Sequence, residues 1–105
     1  MCDFHVLHHD GRGYVAHCAG CRRVQAAFGN VVLSLTQEEF EALAKRIAVR
    51  EEEHAHCRDC PVKDIYLHTP AENMLFVFSG KELLALHEML EQSRLLLEVK
   101  ALLGG

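Results

Sequence analysis

Four of the chain's five cysteines fall into two identical spacings, Cys18 with Cys21 and Cys57 with Cys60. A C-x-x-C turn sets two thiolates on one side of a tetrahedral ion, and two such turns complete the coordination sphere without a water. The pattern predicts one structural zinc held by Cys18, Cys21, Cys57 and Cys60, with iron as the other metal that these thiolates suit. A sphere closed by four sulfurs leaves no open position for hydrolysis, so it argues for holding a shape. Cys2 is left over and reads as a free thiol near the terminus.

Two other uses of the spacing fare worse. A c-type haem attachment wants His directly after the second Cys, where this chain has Arg22 and Pro61. A redox dithiol sits where a strand feeds a helix N-terminus; here the first motif lies between two predicted strands and the second follows a helix. Thiol redox or metal handling is therefore the alternative function, behind the structural ion. His17 and His56 each precede a cysteine and suit a supporting role near the sulfurs better than ligation. His5, His8 and His9 lie near Cys2 and Asp3; His5 and His9 share a strand parity while His8 faces the other way, and the expectation is no second metal site there. Glu51-Glu52-Glu53 reads as a solvated face at a helix end, where negative charge is mildly unfavourable. No nucleophile elbow, phosphate loop or H-E-x-x-H motif is present, and the expectation is a protein that is not an enzyme.

The elements that must carry these cysteines read as an internal duplication. His17-Cys18-Ala19-Gly20-Cys21 corresponds to His56-Cys57-Arg58-Asp59-Cys60, and the run from Asn30 matches the run from Asn73. Each half reads as knuckle, strand, turn, strand and helix. Arg22 to Phe28 and Val31 to Leu35 flank Gly29-Asn30, while Val62 to His68 and Met74 to Phe78 flank a longer loop at residues 69–73. Thr36 with Glu39, and Ser79 with Glu82, are capping boxes that start helices of about Gln37 to His54 and Gly80 to Leu103. Apolar stripes follow at helical spacing: Phe40, Leu43, Ala44 and Ile47 on the first helix, Leu83, Leu86, Leu90 and Leu97 on the second. The strands after Asn30 and Asn73 are apolar on nearly every residue, which predicts central strands covered on both faces. Phe4 to His9 and Arg12 to His17 flank Asp10-Gly11 as an extra hairpin. The fold class is α+β: a hairpin at 1–16, a first repeat at 17–54 and a second at 56–103, within one domain of residues 1–105. If equivalent corners of the two halves meet near one axis, duplication explains how distant cysteine pairs share an ion.

The chain has 105 residues, of which 50% are hydrophobic, and a formal charge of −4. That suffices for one core and no second domain. Four thiolates around one zinc would take the charge to about −6, which disfavours a phosphate backbone as partner. The only basic clusters are Arg22-Arg23 and the loose group Lys45, Arg46 and Arg50, so nucleic-acid binding ranks third among functions. The first ten residues lack the pattern of a secretory signal, and no apolar run approaches the roughly 20 residues of a membrane helix, so the expected setting is cytoplasmic with no membrane partner. Leu95, Val99, Leu102 and Leu103 form a second apolar set on the last helix, to be buried either by the sheet or N-terminal hairpin or by a homodimer contact.

Cys18-Ala19-Gly20-Cys21, Val24-Gln25, Phe28-Gly29-Asn30 and the capped helix with Glu39-Phe40 together resemble a group of small uncharacterised bacterial proteins with a C-x-x-C motif and an F-G-N turn. The resemblance covers roughly the first half of the chain. It implies a bacterial cytoplasmic protein and supplies no activity. The functional expectation is a zinc-stabilised adaptor domain that recognises protein, including another copy of itself.

Overall fold

Turn chemistry cuts the first third of the chain into four strands. The Asp10 carboxylate accepts the backbone N–H groups of Arg12 at 2.7 Å and Gly13 at 3.1 Å, closing the turn between β1 (His5–Asp10) and β2 (Gly13–His17). Gly29, at φ +61°, supplies the left-handed residue between β3 (Arg23–Phe28) and β4 (Val31–Thr36). This computed structural model describes residues 3–69 and 71–104. The four strands pair antiparallel in the order β1-β2-β3-β4, with a bulge in β1 between Val6 and His8. A 17-residue helix α1 (Gln37–Glu53) follows, then a 3-10 turn at Ala55–Cys57. After it come β5 (Ile65–His68), β6 (Leu75–Phe78) and the 23-residue helix α2 (Gly80–Leu102). β5 and β6 pair in a separate two-stranded sheet, so the fold is α+β as the sequence predicts.

The central strands are β2 and β3, a correction to the expectation drawn from apolar content. β4 and β6 lie at edges. In β4, Leu35 turns inward and Val32 stays 56% exposed, because only one face of the sheet is covered. The extra hairpin lengthens this sheet.

Both helices lie on that one face, α2 against β1 and β2, α1 against β3 and β4. They run antiparallel. Arg94, late in α2, feels the charge of Glu41 near the start of α1, while the turn after α1 meets the start of α2 at Gly80. The stripes read from the sequence meet the sheet as expected: Phe40, Ala44 and Ile47 with Leu83, Leu86, Leu90 and Leu97, against Val15, Val24, Ala26 and Leu35. The Phe28 and Phe78 rings, 6.2 Å apart and edge to face, join the two sheets. Arg46 and Arg50 each donate at 3.0 Å to a β5 carbonyl, of His68 and Tyr66 respectively, which occupies two of the three cations in the loose basic group.

The second apolar set on α2 is not buried by the sheet or the hairpin. Leu95, Val99, Leu102 and Leu103 remain exposed.

Both capping boxes form. Ser79 Oγ accepts the Glu82 N–H at 3.0 Å, and the Glu82 carboxylate accepts the Ser79 N–H at 2.9 Å; Thr36 and Glu39 do the same. Burial pushes the Glu82 carboxyl up, but the Ser79 N–H and the Lys63 ammonium outweigh it and hold the group below its ordinary range. Ser79→Ala is expected to cost about 1 kcal/mol, roughly 4–8 °C in Tm, with Ser79→Thr retaining most of it. A thermal melt in which both variants match the parent would remove the cap from the stability account.

Candidate metal centre

The first knuckle is the connection from β2 to β3. Cys18 N–H donates to Arg23 O at 3.0 Å and Arg22 N–H to Cys18 O at 2.8 Å, with Arg22 in the left-handed region at φ +60°. This backbone aims the Cys21 N–H at Cys18 Sγ, 3.5 Å away. An N–H pointed at sulfur favours its anionic form, the state that binds metal. Cys18 is 1% exposed, whereas Cys21 is open and shares a cleft with Thr36, Gln37, Glu38 and Glu41 at the start of α1.

His17 belongs to the same corner. Its two ring nitrogens are buried and have no hydrogen-bond partner among the described residues. Burial first, then the charges of Lys100 and His5, hold the imidazole below its usual pKa. His5 stands directly opposite His17 in the β1–β2 register.

The second knuckle is built differently. The chain leaves α1 through the 3-10 turn, with Cys57 N–H on His54 O at 3.0 Å and Cys60 N–H on Cys57 O at 3.2 Å. Cys57 and Cys60 are joined by a disulfide. The Cys60 carbonyl then accepts the Lys81 N–H at 3.2 Å, satisfying one of the donors that a helix start leaves open. Arg58, between the two cysteines, donates to both carboxylate oxygens of Glu51, the longer bond measuring 3.3 Å. Glu51 is 5% exposed, so the first residue of the acidic run is a buried anchor and not part of a solvated face. Glu53 pairs with Arg50 at 3.3 Å. His56 stacks on His54 at 6.3 Å, and His8 bonds Asp10 at 3.0 Å.

The structure brings Cys18 to Cys21 and Cys57 to Cys60, and it does not bring one pair to the other. Cys21 lies at the first turn of α1, and Cys57 follows its last. At 17 residues the helix separates them by about 25 Å. Each knuckle sits beside the N-terminus of the helix that follows it, and antiparallel helices place these two corners at opposite ends. That is why the expected meeting at one axis does not occur within a chain. Among the described residues no three His, Cys, Asp or Glu side chains gather as a cation site. Cys2, read as a free thiol, lies outside the described residues.

The profile of a family of unknown function matches residues 1–102, both knuckles included. The chain belongs to that family, DUF6686. Membership in DUF6686 extends over the second half of the chain, beyond the stretch that carries the F-G-N resemblance. No curated protein and no solved structure matches the chain. Among the described residues no helix is long and apolar enough to cross a membrane.

Proposed function

We propose that this member of DUF6686 is a small protein-interaction domain braced by one zinc at the first knuckle, with a second copy of the chain as its first candidate partner. The observation that carries the reading is the apolar strip left open on the last turns of α2. Leu95 is 52% exposed, Leu96 43%, Val99 49% and Leu102 86%, while Leu97 between them and Ser93 just before them pack inward. An apolar surface of this continuity on a small chain marks a place where protein binds. Lys100, on the same turns, lies near enough to His17 for its charge to be felt there. An ion at Cys18 and Cys21 would therefore brace the sheet corner against which the strip is held.

Elemental analysis and the mass in solution test this together. About one zinc per chain and a dimer mass are expected, with chelation lowering Tm sharply, since metal binding free energy becomes folding free energy. Replacing Leu96 and Val99 by Glu is expected to give a monomer with unchanged helix content. A metal-free monomer whose melting ignores chelator would sink the proposal.

The Cys57–Cys60 disulfide favours a second reading, thiol redox at the second knuckle. Sequence order hid one supporting feature: the motif follows a helix in the chain but adjoins the start of α2 in space, where the helix dipole favours a thiolate. Rapid alkylation of Cys57 or Cys60 after mild reduction, with Cys18 protected, is the expected signature; equal, slow labelling of both pairs would count against it.

A further inference from the structure

We infer that β4 and β6 are the two walls of a cleft that takes an extended strand of a partner protein, uncharged and apolar at alternate positions, which joins the two sheets into one. This surface goes beyond the dimer reading above and uses none of the residues of the α2 strip.

The bonds at the two ends of β3 fix which backbone groups β4 has left over. Cys18 N–H donates to Arg23 O and Gly29 N–H to Arg12 O, both at 3.0 Å, so the odd-numbered residues of β3 point at β2. The even-numbered Val24, Ala26 and Phe28 therefore bond β4, through Leu35, Leu33 and Val31. Val32 and Ser34 are left with N–H and C=O groups directed off the edge of the sheet, while Thr36, next in that row, gives its N–H to Glu39. In β5 the Tyr66 and His68 carbonyls face Arg50 and Arg46, so it is Ile65 and Leu67 that bond Phe78 and Phe76. Leu75 and Val77 of β6 are then left over in the same way. Thus α1 covers the outer edge of β5, and β6 keeps an open one.

The two open edges border one cleft. Phe28 and Val31 line it on one side and Phe76 and Phe78 on the other, with the Phe28 and Phe78 rings 6.2 Å apart at its base. Leu43 and Leu86 extend the floor, and among the described residues no charged side chain lies there. Lys63 and Glu82 stand at the rim and neutralise one another at 3.3 Å. The far edge of the larger sheet is closed to a partner strand by the bulge in β1 and by Asp10, protection that β4 and β6 lack. Unpaired N–H and C=O groups on both walls above an apolar floor match an extended backbone. Its residues of one parity bond β4, those of the other bond β6, and every second side chain drops onto the floor. A charge at those inward positions would be buried without a partner, so the occupant is apolar there.

The test uses the full chain and a short synthetic peptide of alternating valine and threonine, with a lysine at each end for solubility. Saturable binding is expected, with hydrogen exchange at the Val32, Ser34, Leu75 and Val77 amides slowed by at least about tenfold. N-methylation of the peptide backbone is expected to weaken binding about tenfold whichever parity of residue carries it, because each parity faces one wall. Val32→Pro removes an N–H at an outward position that an edge strand tolerates, and should weaken the peptide about tenfold with an unchanged far-ultraviolet spectrum, while Val32→Thr retains it. The methylated peptides probe the same bonds without altering the protein. Absence of saturable binding, sensitivity to N-methylation at one parity only, or equal binding by a peptide with lysine in place of every valine each overturns the inference. So does a dimer of the parent chain that Val32→Pro dissociates, since a second copy would then hold the cleft.

Discussion

Gly80→Ala is expected to lower stability by about 3 kcal/mol and Tm by ten degrees or more, although alanine is the better helix former. Gly80 is the first residue of α2, and a methyl group there would sit 2.9 Å from the Cys57 carbonyl carbon and closer still to its oxygen. The obstacle is backbone, so no side chain can rotate away to make room. Either α2 shifts or the second knuckle lifts off it, and lifting breaks the Lys81 N–H to Cys60 O bond. Helix propensity alone predicts the opposite sign, up to about 1 kcal/mol in favour of alanine. A thermal melt therefore decides: an unchanged or raised Tm would mean that the knuckle does not dock as described.

Phe40→Ala should be the costliest single truncation of the core, about 3–5 kcal/mol. Phe40 is fully buried in the first turns of α1, within the cluster that joins the sheet to both helices. Small domains hold only about 5–15 kcal/mol in total, so the variant is expected to lie near the edge of folding at 37 °C. Leu43, one turn along but only partly buried, is the internal comparison and should cost clearly less when truncated. Urea unfolding with an unchanged slope and a fall in midpoint worth less than about 1 kcal/mol would show that the site can collapse or that α1 is displaced.

What could be read from the sequence was whatever local chemistry decides. Both capping boxes, the Gly29 turn and the helix stripes follow from residues within a few positions of one another, and each is found within a residue or so of its expected place. Strand order was not accessible in this way. An apolar run such as Val31 to Leu35 looks alike whether both faces are covered or one, and its neighbour in the sheet is chosen by distant chain. Glu51 was misread for a related reason. Its partner Arg58 is seven residues away, and they meet only because the 3-10 turn folds the second knuckle back over the end of α1. Similar halves suggested that the cysteine pairs converge. Helix direction, which composition does not encode, decides whether equivalent corners meet or part.

The position of the two knuckles at opposite ends of α1 has a thermodynamic consequence. In a shared four-sulfur site, closing one disulfide removes two ligands, so oxidation and ion binding exclude one another. Held about 25 Å apart by a 17-residue helix, they draw on different sulfurs. With an ion at the first knuckle as proposed, four states would be open to the molecule: the first knuckle loaded or empty and the second bonded or reduced, each irrespective of the other. The coupling free energy between them should be close to zero, and an ion titration at the first knuckle should superimpose whether Cys57 and Cys60 are bonded or reduced.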